Sequence, residues 1–307
     1  MNHLGNGREW DLSRKRGGLH IVPPFAQVNQ KMYHGRVEAL SSILNFLESQ
    51  KEKYVILSDC NIASDLDFAD LIHKHVESGA DVTMVYEQSE IPEALKTENY
   101  TFAVDENGRI NELLINDYRQ GVQNLSMNVT VIGREELISF IKDARAHNLI
   151  HFERDIIAPS LKILNVRGYE YTGYRSRIYD MRSYFNENMR LLKHENMEAL
   201  FPEVRPVYTK VHDEAPVRYA MDCKVDNCML ADGCVIEGEV ENCVLFRGVK
   251  ISKGAKVKNS ILMQGTVVEA GADVEYVITD KNVTITQDKH LIGNESFPVY
   301  VQKNTKV

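Results

Sequence analysis

The residues with the clearest chemical potential in this chain are its cysteines. Five are present, Cys60, Cys223, Cys228, Cys234 and Cys243, and four of them fall within 21 residues. Clustered thiolates can hold zinc. Here, however, the gaps are of four, five and eight residues, with no C-x-x-C pair and no histidine nearby, which is poor spacing for a tetrahedral site. The pattern fits small side chains stacked inside a repeat. An odd cysteine count without an export signal fits a reducing cytoplasm. His73 and His75 form the second group. Two apart on a helix they do not share a face, so two solvated imidazoles are expected rather than a metal pair. The basic run Arg14-Lys15-Arg16 is the third, and a charge run is ordinarily a solvated face.

These groups need elements to position them. Tyr54-Val-Ile-Leu57 and Asp81-Val-Thr-Met-Val-Tyr86 read as strands, rich in β-branched and aromatic residues. Between them Leu66, Phe68, Leu71, Ile72 and Val76 follow a helical stripe, with Gly79 placed to end it. Val37, Leu40, Leu44 and Leu47 predict an earlier helix. Thr101–Val104 and Arg109–Ile115 flank Asn107-Gly108, a strong hairpin turn. A strand at 126–132, helices at 134–146 and 153–164, a strand at 168–175 and a helix at 180–194 complete an α/β pattern over residues 1–195. Some fifty residues precede the first strong strand, which predicts an α/β domain lacking its beginning.

Residues 196–216 hold Pro202, Pro206 and Pro216 and read as an extended linker. Beyond it the chain repeats. Asp226-Asn-Cys-Met-Leu230, Glu241-Asn-Cys-Val-Leu245 and Lys258-Asn-Ser-Ile-Leu262 are copies of one pentapeptide, spaced 15 and then 17 residues apart. Apolar residues recur every six, as in Leu245/Ile251/Val257 and Leu262/Val268/Val274, with Gly233, Gly248, Gly254, Gly265 and Gly271 at the turns. A period of six is the signature of a parallel β-helix over 217–307, its inward aliphatics stacked coil on coil. Cys228, Cys243 and Ser260 share one equivalent position.

Length and charge agree with this division. The chain has 307 residues, room for two domains, and a net charge of -8 that argues against a general nucleic-acid or anionic-membrane binder. No apolar run reaches the ~18 residues of a membrane helix.

The segment His3-Leu-Gly-Asn-Gly-Arg-Glu-Trp-Asp-Leu-Ser-Arg-Lys-Arg16, followed by Ile21-Val-Pro-Pro24, resembles bacterial ADP-glucose pyrophosphorylase (glucose-1-phosphate adenylyltransferase). The similarity continues through Tyr33-His-Gly-Arg-Val-Glu-Ala39, Ser126-Met127, Asp155-Ile-Ile157, Gly173-Tyr174, Asn188-Met189 and Thr279-Asp-Lys-Asn282, and covers essentially the whole chain. Within the family the chain most resembles the D-type subunit of glycogen biosynthesis. The resemblance implies a Rossmann-like nucleotidyltransferase α/β domain followed by a left-handed β-helix. It also implies a reaction joining ATP and glucose 1-phosphate into ADP-glucose and pyrophosphate. That chemistry calls for Mg²⁺ on carboxylates, cations on the phosphates and a glycine-rich loop.

Matched against those requirements, the chain departs from the family. The loop G-G-G-x-G-T-R-L falls before the matched region, so the α/β domain is expected to lack it together with its first strands. The metal aspartate of L-S-G-D-H corresponds to Cys60 in Leu57-Ser-Asp-Cys-Asn61, and a neutral thiol is a poor ligand for magnesium. Asp59 is adjacent, but a one-residue offset in a strand points to the opposite face. The aspartate of W-R-D-x-G-T corresponds to Arg177 in Arg175-Ser-Arg-Ile-Tyr-Asp180, while Asp180 is placed to start the next helix. The family's E-K-P corresponds to Ile115-Asn-Asp117, and Tyr100 replaces a small glycine near the sugar pocket. Tyr33 and Ser126 do match substrate-contacting positions.

The leading expectation is therefore a regulatory or non-catalytic cytoplasmic subunit. It would have no catalytic residue and no metal of its own, hetero-oligomeric with a catalytic glucose-1-phosphate adenylyltransferase. No nucleic-acid or membrane partner is expected. Because relatives respond to sugar phosphates and nucleotides, an effector of that kind is a further expectation, with Arg14–Arg16 as one place to touch it. The alternative is an active adenylyltransferase whose metal is carried by offset carboxylates, Asp59 and Asp180. A hexapeptide acyltransferase ranks last, because residues 217–286 contain no histidine and His290 falls at their end.

Overall fold

The computed structural model describes residues 3–14, 17–23, 33–209 and 213–307. Lys15, Arg16 and Pro24 lie outside the described residues. The fold divides into two units, one comprising Met1–Ile62 and Leu66–Gly173, the other Ala63–Asp65 and Tyr174–Val307.

The first unit is a sheet covered on both faces. Its helices are α1 (Arg36–Ser42), α2 (Leu44–Ser49), α3 (Phe68–Glu77), α4 (Arg134–Ala146) and the short α5 (Ala158–Ser160). Its strands are β1 (Tyr54–Ser58), β3 (Val82–Glu90), β4 (Tyr100–Val104), β5 (Ile110–Ile115), β6 (Val122–Gly133) and β7 (Val166–Glu170); β2 (Ile62–Ser64) falls mostly in the second unit. The order is β5-β4-β6-β3-β7, with β1 also on β6. Only β3 and β7 run parallel among the pairs of this sheet, so it is mixed. The period-2 alternation of a strand explains how the faces are shared. Val82, Met84 and Ile132 point into a core with Val37, Leu40, Leu44 and Leu47 of α1–α2 and Leu137 and Ile141 of α4. Their neighbours Val85, Val129 and Val131 point the other way, onto Leu71 of α3.

Several local expectations hold. Helix α4 spans the predicted residues 134–146, and Gly79, at φ 59°, ends α3 in the left-handed region where glycine costs least. The Asn107-Gly108 turn is closed by Asp105, whose Oδ1 accepts from the N–H groups of Asn107 and Arg109, both at 2.9 Å.

Three differ. The predicted helix over 153–164 is a π-helical stretch, Phe152–Ile157, followed by a single α turn; Pro159 has no N–H to continue an α ladder. The predicted strand over 168–175 is interrupted. It runs as β7, and then as β8 (Arg175–Arg177), which pairs with β2 in a separate two-stranded sheet. The 180–194 helix is α6 (Met181–Arg190), followed by α7 (His194–Leu200), which occupies part of the expected linker.

The unit boundary also falls earlier than residue 195. Helix α6 packs on the β-helix: Phe185, Tyr184 and Met189 join Val244, Ile261 and Ile278 in one apolar cluster. An apolar stripe on a helix shows that it has a partner, but not which of two domains supplies it.

The rest of the second unit is the expected parallel β-helix. Three five-stranded parallel faces stack short strands, for example Lys224–Asp226, Glu239–Glu241, Lys256–Lys258, Asp273–Glu275 and His290–Ile292 on one of them. Inward Ile236, Ile251, Val268 and Ile285 form one fully buried column. Burying such a side chain contributes about 1.5–3 kcal/mol each. Cys228, Cys243 and Ser260 are stacked as predicted, since Met229 N–H donates to the Cys243 carbonyl at 2.9 Å and Val244 N–H to that of Ser260 at 3.0 Å.

Candidate functional site

The C-terminal end of β1 is where the resemblance expects metal chemistry, and the residues around it form a charge cluster within the first unit. Helix α1 reaches it because Gly35 allows a close approach. A Cβ there would sit 2.4 Å from the Ile150 carbonyl oxygen, which accepts the Val37 N–H at 3.1 Å. The receiving turn is held in place by Asp155. Its Oδ2 accepts from the N–H groups of Ile150 (3.0 Å) and His151 (2.8 Å), while Arg154 donates to Oδ1 at 2.6 Å. The Arg154 guanidinium, followed by those two N–H groups, holds the Asp155 carboxyl well below the usual carboxylate range.

So positioned, Arg36 at the start of α1 reaches two carboxylates. Its Nη2 donates to Asp59 Oδ1 at 2.6 Å, and its Nη1 donates to Glu153 Oε1. Glu153 is buried on the π-helical stretch, with its side chain 6% exposed. Tyr100, at the start of β4, is half-buried beside them. Burial first, and the Glu153 charge second, push its phenol pKa up. One guanidinium thus serves both an exposed and a buried carboxylate.

The expected site residues fall as follows. Cys60 is exposed, one residue beyond Asp59. Tyr33 is half-buried and lies three residues before α1. Ser126 is buried in β6, where its Oγ accepts the N–H of Asn128 at 3.0 Å; Asn128 is left-handed at φ 55°. The hydroxyl thus supports an irregularity of the β3–β6 ladder, between Met84 and Tyr86. At the family's E-K-P position, Asn116 and Asn99 clasp each other through two backbone N–H bonds of 2.9 and 3.0 Å, and Asp117 pairs with Arg119.

Arg177 and Asp180 belong to the second unit. Arg177 ends β8. Asp180 caps α6 as expected, with a reciprocal box: Ser183 N–H donates to Asp180 Oδ1 at 2.6 Å and Asp180 N–H to Ser183 Oγ at 2.9 Å. Asp59 and Asp180 are therefore each committed inside their own unit.

The donor set at β1 does not fit a magnesium ion. It offers a soft thiol and a carboxylate already hydrogen-bonded to a guanidinium. Among the described residues, no group of three or more His, Cys, Asp or Glu is arranged to hold a metal. His75 corrects the sequence reading. It is buried, not solvated, with Nδ1 2.8 Å from Thr83 Oγ1 and its ring edge-on to Tyr54, and burial lowers its pKa. Its neighbour His73 is exposed beside Glu77. His290 is also exposed, 3.8 Å from Asp273.

Sequence reasoning missed the Arg36–Glu153 pair. The two are 117 residues apart, and Glu153 sat in what read as an ordinary helix. A charged residue between Phe152 and Ile156-Ile157 was the one available signal.

A sequence model of the GlmU-like C-terminal hexapeptide family matches residues 211–297. Among individual proteins, the chain is 32% identical over 303 residues to the glycogen biosynthesis protein GlgD of Bacillus subtilis (strain 168), covering 99% of this chain and 78% of that one. It is 32% identical over 258 residues to GlgD of Geobacillus stearothermophilus, covering 84% of this chain and 65% of that protein. It is 29% identical over 262 residues to the glucose-1-phosphate adenylyltransferase of Geobacillus stearothermophilus, covering 84% and 67%. With its α/β unit, its hexapeptide β-helix and this extent of similarity, the chain belongs to the family formed by GlgD and glucose-1-phosphate adenylyltransferase.

Proposed function

We propose that this chain acts in glycogen biosynthesis as a non-catalytic subunit that modulates a catalytic glucose-1-phosphate adenylyltransferase in the cytoplasm. The observation that carries the reading is the fate of the carboxylates. Cys60 and Arg177 stand at the two metal positions, and the nearest replacements are taken, Asp59 by Arg36 and Asp180 by its own helix.

The chemistry of the family reaction supports this reading. In the family reaction the sugar phosphate attacks the α-phosphorus of ATP, and negative charge must be neutralised where the two phosphates meet. At the family position matched by Arg177, an arginine supplies no carboxylate oxygen for a dication. The Arg36 guanidinium is already balanced by Asp59 and Glu153. By the family match, Tyr100 would narrow the space where relatives accept the sugar. These features oppose turnover by this chain while leaving its fold intact.

The remaining role is regulation through association. A subunit that contacts the active and inactive conformations of its partner differently shifts their populations by its differential affinity. Coupling of this kind typically amounts to ~1–3 kcal/mol, a change of about 5–150-fold in an effector or substrate constant. An effector with sugar-phosphate or nucleotide character belongs to the same proposal.

Reconstitution tests it. The catalytic enzyme is assayed for ADP-glucose formation with and without an equimolar amount of the full chain, across a range of effector concentrations. A changed maximal rate or effector midpoint supports the reading. Identical curves, with no complex by mass photometry, overturn it.

A further inference from the structure

The second unit contains a cleft that none of the preceding chemistry uses. It has a volume of about 440 Å³ and lies between α6 and one corner of the β-helix. That size is in the range of small-ligand sites.

The corner is built from one repeated position. Asn227, Asn242 and Asn259 occupy it in three successive coils with φ of 46°, 52° and 44°. Asparagine tolerates this left-handed geometry. The amides stack at the spacing of neighbouring strands, about 4.8 Å. Asn227 Nδ2 donates to Asn242 Oδ1 at 2.7 Å, and Asn259 Nδ2 donates to Glu275 Oε1 at 3.3 Å. The Asn242 amide donor has no partner among the described residues, so the ladder offers hydrogen-bonding groups to the cleft.

The fourth coil breaks the pattern. Its equivalent residue is Tyr276, held at φ 51°. A bulky side chain there is unusual, and such strain persists where the surroundings impose it. The Tyr276 ring lies 6.1 Å from that of Phe185 and lines the cleft.

The charges on the opposite wall leave no preference for an anion. Arg190 Nη1 is 2.8 Å from both carboxylate oxygens of Glu187, and Lys193 and Glu295 have opposite signs. An aromatic ring, a ladder of amides and balanced charge are the groups that recognise a polyhydroxylated, uncharged ligand. The apolar face of a sugar ring lies on an aromatic ring, and its hydroxyls pair with amides.

We propose that this cleft binds a short neutral α-linked glucan segment, seated on Tyr276 and hydrogen-bonded along Asn242 and Asn259. The ligand class follows from the cleft; the α linkage rests on the glycogen reading above. Such a site would let the subunit sense the polymer that its partner's product extends.

Calorimetric titration of the full chain tests this without ATP or a partner, so its failure is separable from failure of the regulatory reading. The probes are maltotetraose, cellotetraose, glucose 1-phosphate and inorganic phosphate. Maltotetraose should bind, and Tyr276→Asn should weaken it at least about tenfold. Tyr276→Asn places in the fourth coil the residue native to three others, so it should fold. Asn186→Ala on α6, a favourable helix substitution across the cleft, provides a second variant and should also weaken binding. Absence of maltotetraose binding at about 10 mM, binding by both variants as tight as by the parent, or preference for cellotetraose or either phosphate would overturn the proposal.

Discussion

Replacing Arg36 by methionine should destabilise the first unit by about 3 kcal/mol. Arg36 is 19% exposed and its partner Glu153 only 6%, whereas Asp59 is 43% exposed. Losing the Asp59 contact alone would cost little, because water solvates that carboxylate. Glu153 would be left as a buried charge without its counter-ion, and breaking such a pair from one side costs ~3–5 kcal/mol. We take the lower end because Arg36 is partly hydrated. The chain has a single tryptophan, Trp10, in the first unit, so its fluorescence follows that unit in urea. With a slope of about 2 kcal/mol/M, the midpoint should fall by about 1.5 M. The double variant Arg36→Met/Glu153→Gln removes both charges and should recover most of the loss. A fall below about 0.5 M for the single variant, or a double variant no more stable than it, would refute the argument that Arg36 serves chiefly to neutralise Glu153.

Asp180→Ala should cost about 1 kcal/mol through loss of the cap on α6, with no dependence on Mg²⁺; a magnesium-dependent rise in the melting temperature of the parent that the variant lacks would count against this role. Burial lowers the His75 pKa, so the fold prefers the neutral ring. Stability from this group is present above pH ~6.5 and is lost as pH falls through the folded value, with a slope of at most about 1.4 kcal/mol per pH unit. His75→Asn should flatten the pH 5–7 dependence of urea midpoints, and an unchanged slope would refute it. In limited alkylation followed by mass spectrometry, exposed Cys60 should react well before Cys243, whose thiol is buried and pushed up by that burial; the reverse order would contradict the placement of both.

The parts of the molecule readable beforehand are those governed by local rules. A six-residue period with glycines at the corners specifies stacked coils, and Asp180 three residues before Ser183 specifies a cap. What escaped depends on distant partners. Nothing near His75 in sequence indicates that Thr83 and Tyr54 enclose it. The assignment of α6 to the β-helix required knowing that Val244, Ile261 and Ile278 present an outward apolar strip. The Arg36–Asp59–Glu153 cluster combines three remote segments, and only its geometry shows that the carboxylate beside Cys60 is already paired. Asn227, Asn242 and Asn259 were visible as repeat positions, while the substitution of Tyr276 at the same corner became evident only once the coils were stacked.

The most direct test of the central claim is the activity of the full chain alone. Pyrophosphate release is measured with ATP, glucose 1-phosphate and Mg²⁺ in the absence of any catalytic subunit. The account predicts a rate indistinguishable from the protein-free blank, unchanged in Asp59→Asn and Asp180→Asn. Turnover well above the blank that either substitution abolishes would contradict it.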